Sequence, residues 1–234
     1  MMVEVITITW NEERYLQDFI NFYRYRLKNC KITIYDNNST DNTVLIGKKN
    51  NCNVVSFDTG ETMDEYTLTH MRTTKWKSSE ADWVIVVDAD EMVDVWDKDL
   101  ENAKWNVNTC IGYEMYGQDT DTLPELRYGV PSAWYNKSCL FNAKQIDSVI
   151  SDGGCHNSTF TAKPNYSVIY NPKPYNLYHT KWRSLNYVLE RTEILAKRRS
   201  DHTIKNGWNG HYSRSRYELA STYIDGMYKR RLVR

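Results

Sequence analysis

The first hundred residues alternate between two hydrophobic periods, and this restricts the fold more than any other feature of the chain. Val3–Thr9 (VEVITIT) is short and β-rich. Residues 13–27 follow, with Tyr15, Leu16, Phe19, Ile20, Tyr23 and Leu27 at helical spacing. Residues 31–35 form a second strand, cut off by the turn-rich DNNSTD at 36–41. A helix over Thr43–Lys49, a strand over 53–57 and a helix over 63–78 come next. The continuous apolar run WVIVV at 83–87 has the composition of a fully buried strand. Strands alternating with helices predict βαβ units, a parallel sheet and an α/β fold. Right-handed crossovers then bring the carboxyl ends of the strands to one rim, where open α/β sheets bind ligands.

After Asp90 the pattern loosens. Residues 110–115, 138–141, 167–170 and 175–178 are strand-like, separated by stretches rich in Asn, Gly and Pro. Leu185–Arg198 is a strong helix, and residues 214–228 form a weaker one. No repeat or low-complexity linker divides the chain. We therefore expect one domain over 1–234, with a regular ligand-binding half at 1–105 and an irregular acceptor-side half at 106–234.

Polar clusters close the first, second and fourth predicted strands: Thr9-Trp10-Asn11-Glu12, the 36–41 turn, and Asp88-Ala89-Asp90-Glu91. In extended chain, residues i and i+2 point the same way, so Asp88 and Asp90 present two hard carboxylates to one point. Oxygen ligands of this kind suit Mg²⁺ or Mn²⁺, which can neutralise a departing diphosphate. Two carboxylates cannot complete an octahedral shell. His179, at the end of an apolar strand pattern, is the expected third ligand, with His156 in reserve; imidazole favours Mn²⁺ over Mg²⁺. Lys181 and Arg183 follow His179 with charge suited to phosphate.

Composition removes several function classes. Of the 234 residues, 41% are hydrophobic, which supports a packed core, and the net charge of zero does not suggest a nucleic-acid binder. The charge is unevenly placed. Residues 181–234 carry 13 Lys and Arg against 5 Asp and Glu, so an acidic front and a basic back could meet around one polyanion and its metal. The five cysteines contain no C-x-x-C, so neither a zinc site nor a disulfide framework is indicated, and reduced thiols in the cytoplasm are expected. No signal peptide is visible, and no apolar run approaches the ~20 residues that span a bilayer. Any membrane contact is expected to be peripheral. The 18 Tyr and 8 Trp supply rings with a polar handle, a useful lining for a sugar cleft.

The order ITITWNEERYL, ITIYDNNSTDNT, WVIVVDADEMV resembles the family 2 glycosyltransferases of GT-A fold, whose central sheet is Rossmann-like, mostly parallel and flanked by helices. The resemblance implies a nucleotide-sugar donor, a UDP-sugar or similar. It places Thr9, Asn11, Glu12, Asp36 and Asn38 around the nucleotide, with Arg72 nearby, and makes Asp88 and Asp90 the D-x-D that holds ribose and metal. In the second half, YNKSCLF…GGCHN, LYHTKWRSLNYVLER and GWNGHY are similar to further elements of these enzymes. The acceptor implied is a glycan or other hydroxyl compound, and the transfer leans towards inversion.

The acidic pair that precedes a late helix in many of these enzymes is missing, so the base is sought among the residues themselves. Asp152 leads, because Gly153 and Gly154 allow close backbone approach to a ligand. Asp119 and Asp121 are alternatives, and His156 is a further candidate for catalysis or acceptor contact. His211 is expected to be structural or acceptor-side, and Asp36 could act only as a turn former. A phosphatase or phosphotransferase could use D-x-D differently, but Met92 stands where such enzymes have Thr or Val. A nucleotidyltransferase would want a Gly-rich loop after the first strand, and WNEER has no glycine. A non-catalytic carbohydrate-binding module would leave the carboxylates idle. Thermal-shift titration separates these: stabilisation by a UDP-sugar that requires Mn²⁺ is the outcome expected of a transferase, and metal-independent behaviour would count against it.

Overall fold

β1 (Val3–Thr9) is buried along nearly its whole length, and its two faces feed two different cores. The computed structural model describes residues 1–118 and 122–233. After β1 the chain forms α1 (Glu13–Arg26), β2 (Cys30–Asp36), α2 (Thr43–Lys49), β3 (Asn53–Ser56), α3 (Glu65–Thr74) and β4 (Trp83–Val86). Side chains alternate across a strand. Val3 and Val5 therefore meet Leu16, Phe19, Ile20 and Tyr23 of α1 on one face. Ile6, with Val84 and Val86 of β4, meets Met71 of α3 and Trp76 on the other. The strand order β3–β2–β1–β4 is parallel throughout. This is the expected α/β core, with helices on both faces. The helix expected at 63–78 is two pieces: Asp64 caps α3 by accepting from the Thr67 N–H at 3.0 Å, and Lys75–Ser78 tightens into a 3-10 turn.

The rest of the chain extends this sheet. It comprises β5 (Glu91–Val93), α4 (Asp97–Glu101), β6 (Val107–Tyr116), β7 (Tyr128–Pro131), β8 (Lys137–Asn142), β9 (Ile146–Ser151), β10 (Ser158–Ala162), β11 (Asn176–Trp182), α5 (Leu185–Arg198), α6 (Asp201–Lys205), α7 (Arg216–Lys229) and β12 (Arg231–Leu232). β8 runs antiparallel to β4, and β6 antiparallel to β8. β6 is long enough to serve twice. Its start pairs with β8, and its end pairs with β7 and, in parallel, with β11. β11 in turn pairs with β5, which carries Glu91. This double use brings His179 back beside the residues that follow β4.

The strand expected at 167–170 is not formed. The Asn106 side chain accepts from the Ile169 N–H at 2.8 Å, taking the donor that a ladder would need, and only an isolated bridge joins Tyr170 to Val107. β9 and β10 form a separate antiparallel hairpin that the polar sequence there conceals. Among the described residues no helix is long and apolar enough to cross a membrane.

One close approach holds the site's outer wall. A Cβ at Gly112 of β6 would lie 2.5 Å from the Tyr135 carbonyl carbon. The Gly112 carbonyl accepts from the Ser132 N–H at 2.9 Å, and its own N–H donates to Asn136 Oδ1 at 2.9 Å. The 3-10 turn Ala133–Tyr135 is thereby seated on the strand. Gly112→Ala should lower unfolding free energy by about 1–3 kcal/mol, the usual cost of overpacking. A urea midpoint equal to the parent's would show that the turn does not need the missing Cβ.

Candidate functional site

β4 ends where the hydrophobic run gives way to Asp88, and an open cleft lies at that rim. Its wall takes Thr9, Trp10 and Glu12 from the end of β1, Arg72 from α3, and Asp88, Asp90 and Glu91 after β4. The second half contributes Trp134, Tyr135, His156, His179, Lys181, Arg191, Arg198 and Tyr212, among others. Residues from both halves of the chain therefore meet at the predicted rim.

A buried layer of alternating charge lies beneath the two aspartates. Arg72 donates to Glu65 at 3.1 Å and to Asp88 at 2.9 Å. Lys137, 3% exposed, grips both oxygens of Glu91 at 2.7 and 2.8 Å and lies 3.7 Å from Asp88. Glu91 also accepts the Asp88 backbone N–H at 3.0 Å, which fixes the turn after the strand. Burial opposes charge on Lys137, but Glu91 and Asp88 outweigh it and keep the ammonium protonated. Burial would raise the Asp88 carboxyl; Arg72 and then Lys137 overcome this and hold it well below the usual carboxylate range.

Asp90 has different company. Its Oδ2 lies 3.3 Å from Nε2 of His179, whose ring stacks on Tyr135 with centroids 3.9 Å apart. His179 Nδ1 is buried without a hydrogen-bond partner. Against burial, the Asp90 carboxylate pulls the imidazole pKa up. Cis ligands in an octahedral shell with ~2.1 Å bonds lie ~3 Å apart, so the Asp90–His179 spacing matches one edge of such a shell. Asp88 is drawn off to Arg72 and Lys137. Accordingly, among the described residues no group of three or more His, Cys, Asp or Glu side chains is arranged to hold a metal ion. Among the described residues the expected trio of Asp88, Asp90 and His179 is reduced to the Asp90–His179 pair.

The other expected residues divide between cleft and scaffold. Thr9 lines the cleft and donates to Asp36 at 3.2 Å. Glu12 lines it and pairs with Arg191 at 2.5 Å; burial pushes its carboxyl up to about 7 against that pull. Lys181 lines it with its ammonium 5.5 Å from the Tyr212 ring centroid, and burial pulls its pKa down. Asp36 is 3% exposed and turns inward, accepting from the Ser39 N–H at 3.0 Å and the Ser39 hydroxyl at 2.5 Å. Asn11, in the left-handed region at φ 51°, holds the same turn by accepting from the Thr40 N–H at 2.7 Å. Asn38 is exposed, and Asn37 takes the lining position between them. Arg183 is spent on Asp18 and the Arg14 carbonyl rather than on the cleft.

Of the base candidates, Asp152 is exposed and off the cleft wall, where it accepts from the backbone and side-chain N–H groups of Asn157 at 3.1 and 2.6 Å. It forms the turn of the β9–β10 hairpin. Asp119 and Asp121 lie outside the described residues. His156 does line the cleft. Its position depends on Gly154, at φ 77°, where a Cβ would come within 2.9 Å of the imidazole. The Gly154 N–H donates to Glu65 at 2.8 Å, so the buried charge layer also anchors this turn. Burial and then Lys137 push the His156 pKa down to about 4, and its Nδ1 is buried without a partner.

Sequence reasoning missed two arginines of α5. Arg191 and Arg198 are seven apart, hence on one helix face, and both guanidinium groups lie over the Trp10 ring, at 4.9 and 3.5 Å from its centroid. That spacing was the available signal. Glu65 gave none, because its partners Gly154 and Asn209 lie far along the chain.

No family model and no curated protein matches the chain. Solved structures do. S. aureus TarS 1-349 is similar over 93% of this chain and 73% of its own length, at 15% identity and a TM-score of 0.46. Glucosyl-3-phosphoglycerate synthase from Mycobacterium tuberculosis, in complex with Mn²⁺, UDP and glucosyl-3-phosphoglycerate, matches 47% of this chain and 44% of that one, at 15% identity and a TM-score of 0.35. The mannosyltransferase PcManGT from Pyrobaculum calidifontis, in complex with GDP-Man and Mn²⁺, matches 47% and 35%, at 18% identity and a TM-score of 0.35.

The environment of His156 has a pH consequence. Its ordinary value of 6.5 falls to about 4 in the folded chain. Between those values the unfolded chain takes up a proton that the folded chain refuses, so stability falls as pH drops through that window. His156→Asn should flatten this part of the profile. An imidazole C–H resonance of His156 titrating near its ordinary value would show that the ring is solvated instead.

Proposed function

We propose that the chain is a metal-dependent glycosyltransferase of the GT-A kind, with residues 1–234 acting as one catalytic unit. It transfers a sugar from a nucleotide-sugar donor, a UDP-sugar for preference, to a glycan or other hydroxyl acceptor, with inversion. The observation that carries this reading is the Asp90–His179 pair at the end of the parallel sheet, with Lys181 and Arg198 also lining the cleft. Neither cation has a carboxylate salt-bridge partner among the described residues. A hard dianion in the cleft would complete the charge balance.

In this reading Asp90 and His179 hold Mn²⁺ or Mg²⁺, which supplies positive charge where the diphosphate departs. Lys181 and Arg198 face the diphosphate. Asp88, held in place by Arg72 and Lys137, accepts from a ribose hydroxyl. Thr9, Glu12 and the turn built by Asn11, Asp36 and Asn38 shape the nucleotide end, Asp36 chiefly by fixing that turn. His156 replaces Asp152 as the base, because its imidazole lines the cleft where Asp152 does not. It takes the proton of the acceptor hydroxyl as that oxygen bonds to the anomeric carbon, and the bond from that carbon to the diphosphate oxygen breaks. The nucleoside diphosphate leaves with the bonding electrons.

Two variants test the reading. Calorimetry should find that Mn²⁺ tightens UDP binding to the parent chain by about tenfold or more, a difference of roughly 1.4 kcal/mol. Asp90→Ala should lose that metal dependence while keeping its fold. His156→Ala should keep UDP binding and lose ~10²–10⁴ in transfer rate, the usual size of a general-base contribution. UDP binding to the parent that is indifferent to Mn²⁺ would overturn the metal-dependent mechanism, and near-normal turnover by His156→Ala would remove the base.

A further inference from the structure

Trp134 is the one exposed tryptophan of the eight in the chain, at 71% exposure. Leaving so large an apolar ring in water forgoes the burial that tryptophan ordinarily provides. The exposure does not come from a loose loop. Trp134 lies on the 3-10 turn Ala133–Tyr135, seated on Gly112 from below and clamped by the stack of Tyr135 on His179. The ring lines the mouth of the cleft, with its centroid 5.7 Å from that of His156. A rigidly presented aromatic face beside a proton acceptor suits a ligand with both an apolar face and hydroxyl groups.

We infer that Trp134 is the acceptor platform and that the acceptor presents a pyranose ring, whose axial C–H face stacks on the indole while one hydroxyl reaches His156. This rests on the transferase reading above and narrows its acceptor from any hydroxyl compound to a cyclic sugar. An acyclic polyol has no flat C–H face and gains little from the indole. The platform stands beside His156, the group assigned to the acceptor hydroxyl, and is therefore assigned to the acceptor.

The test uses the whole chain labelled with 5-fluorotryptophan, with the Trp134 ¹⁹F signal assigned from Trp134→Phe. Methyl glucopyranoside, methyl galactopyranoside, methyl mannopyranoside and methyl N-acetylglucosaminide are titrated in turn, with glycerol as the ring-less control. At least one pyranoside should shift the Trp134 signal saturably, and glycerol should not. Followed by ligand-observed NMR, binding of that pyranoside should weaken about tenfold in Trp134→Ala and be largely retained in Trp134→Phe. No response to any pyranoside, an equal response to glycerol, or unchanged binding by Trp134→Ala would overturn the inference. UDP binding to the parent chain, measured alongside, separates the two failures: if UDP binds with Mn²⁺ and the pyranosides do not, only the platform is lost.

Discussion

The alternating charge layer under the cleft is the constraint on which the site depends. Two aspartates at the end of one strand repel each other and resist burial. Arg72 and Lys137 resolve this unequally, taking Asp88 and Glu91 and leaving Asp90 to His179. Arg72 and Lys137 each face carboxylates within this layer, and removing one partner strands the other at a cost of several kcal/mol. The same layer reaches outward through Glu65 to the turn that holds His156. Charge compensation and the placement of reactive groups are here one problem with one solution.

Much of the first half was legible in the sequence because local periodicity and burial agree there. The run at 83–87 is apolar because β4 is covered on both faces, and the helical spacing of Leu16, Phe19, Ile20 and Tyr23 is the buried face of α1. The helix over Leu185–Arg198 was readable for the same reason. The residues gathered at the strand ends were legible as a rim. Their division of labour was not. Asp36 and Asn11 look like ligand contacts in sequence, yet their side chains are used by neighbouring backbone N–H groups.

The second half resisted because its elements depend on distant partners. β9 and β10 stabilise each other across a hairpin and show no clean alternation, so Asp152 looked like an approach to the ligand when it is the hairpin's own turn residue. The strand-like residues 167–170 have the right composition, but a side-chain amide takes the backbone donor. β6 could be read as a strand; that it belongs to two ladders, and so returns His179 to Asp90, depends on pairings that no local pattern encodes.

The carboxylate of Glu65 receives Gly154, 89 residues later, and Asn209, 144 residues later. Loops of that length close only after their entropy has been surrendered, and such contacts form slowly compared with neighbouring strands and helices. β1 and β2, with Val3 set against Cys30, can find their register while the cleft is still open. A refolding chain should therefore regain its circular dichroism before it regains its ligand affinity, because the walls of the cleft are stitched together from the parts of the polypeptide that meet last.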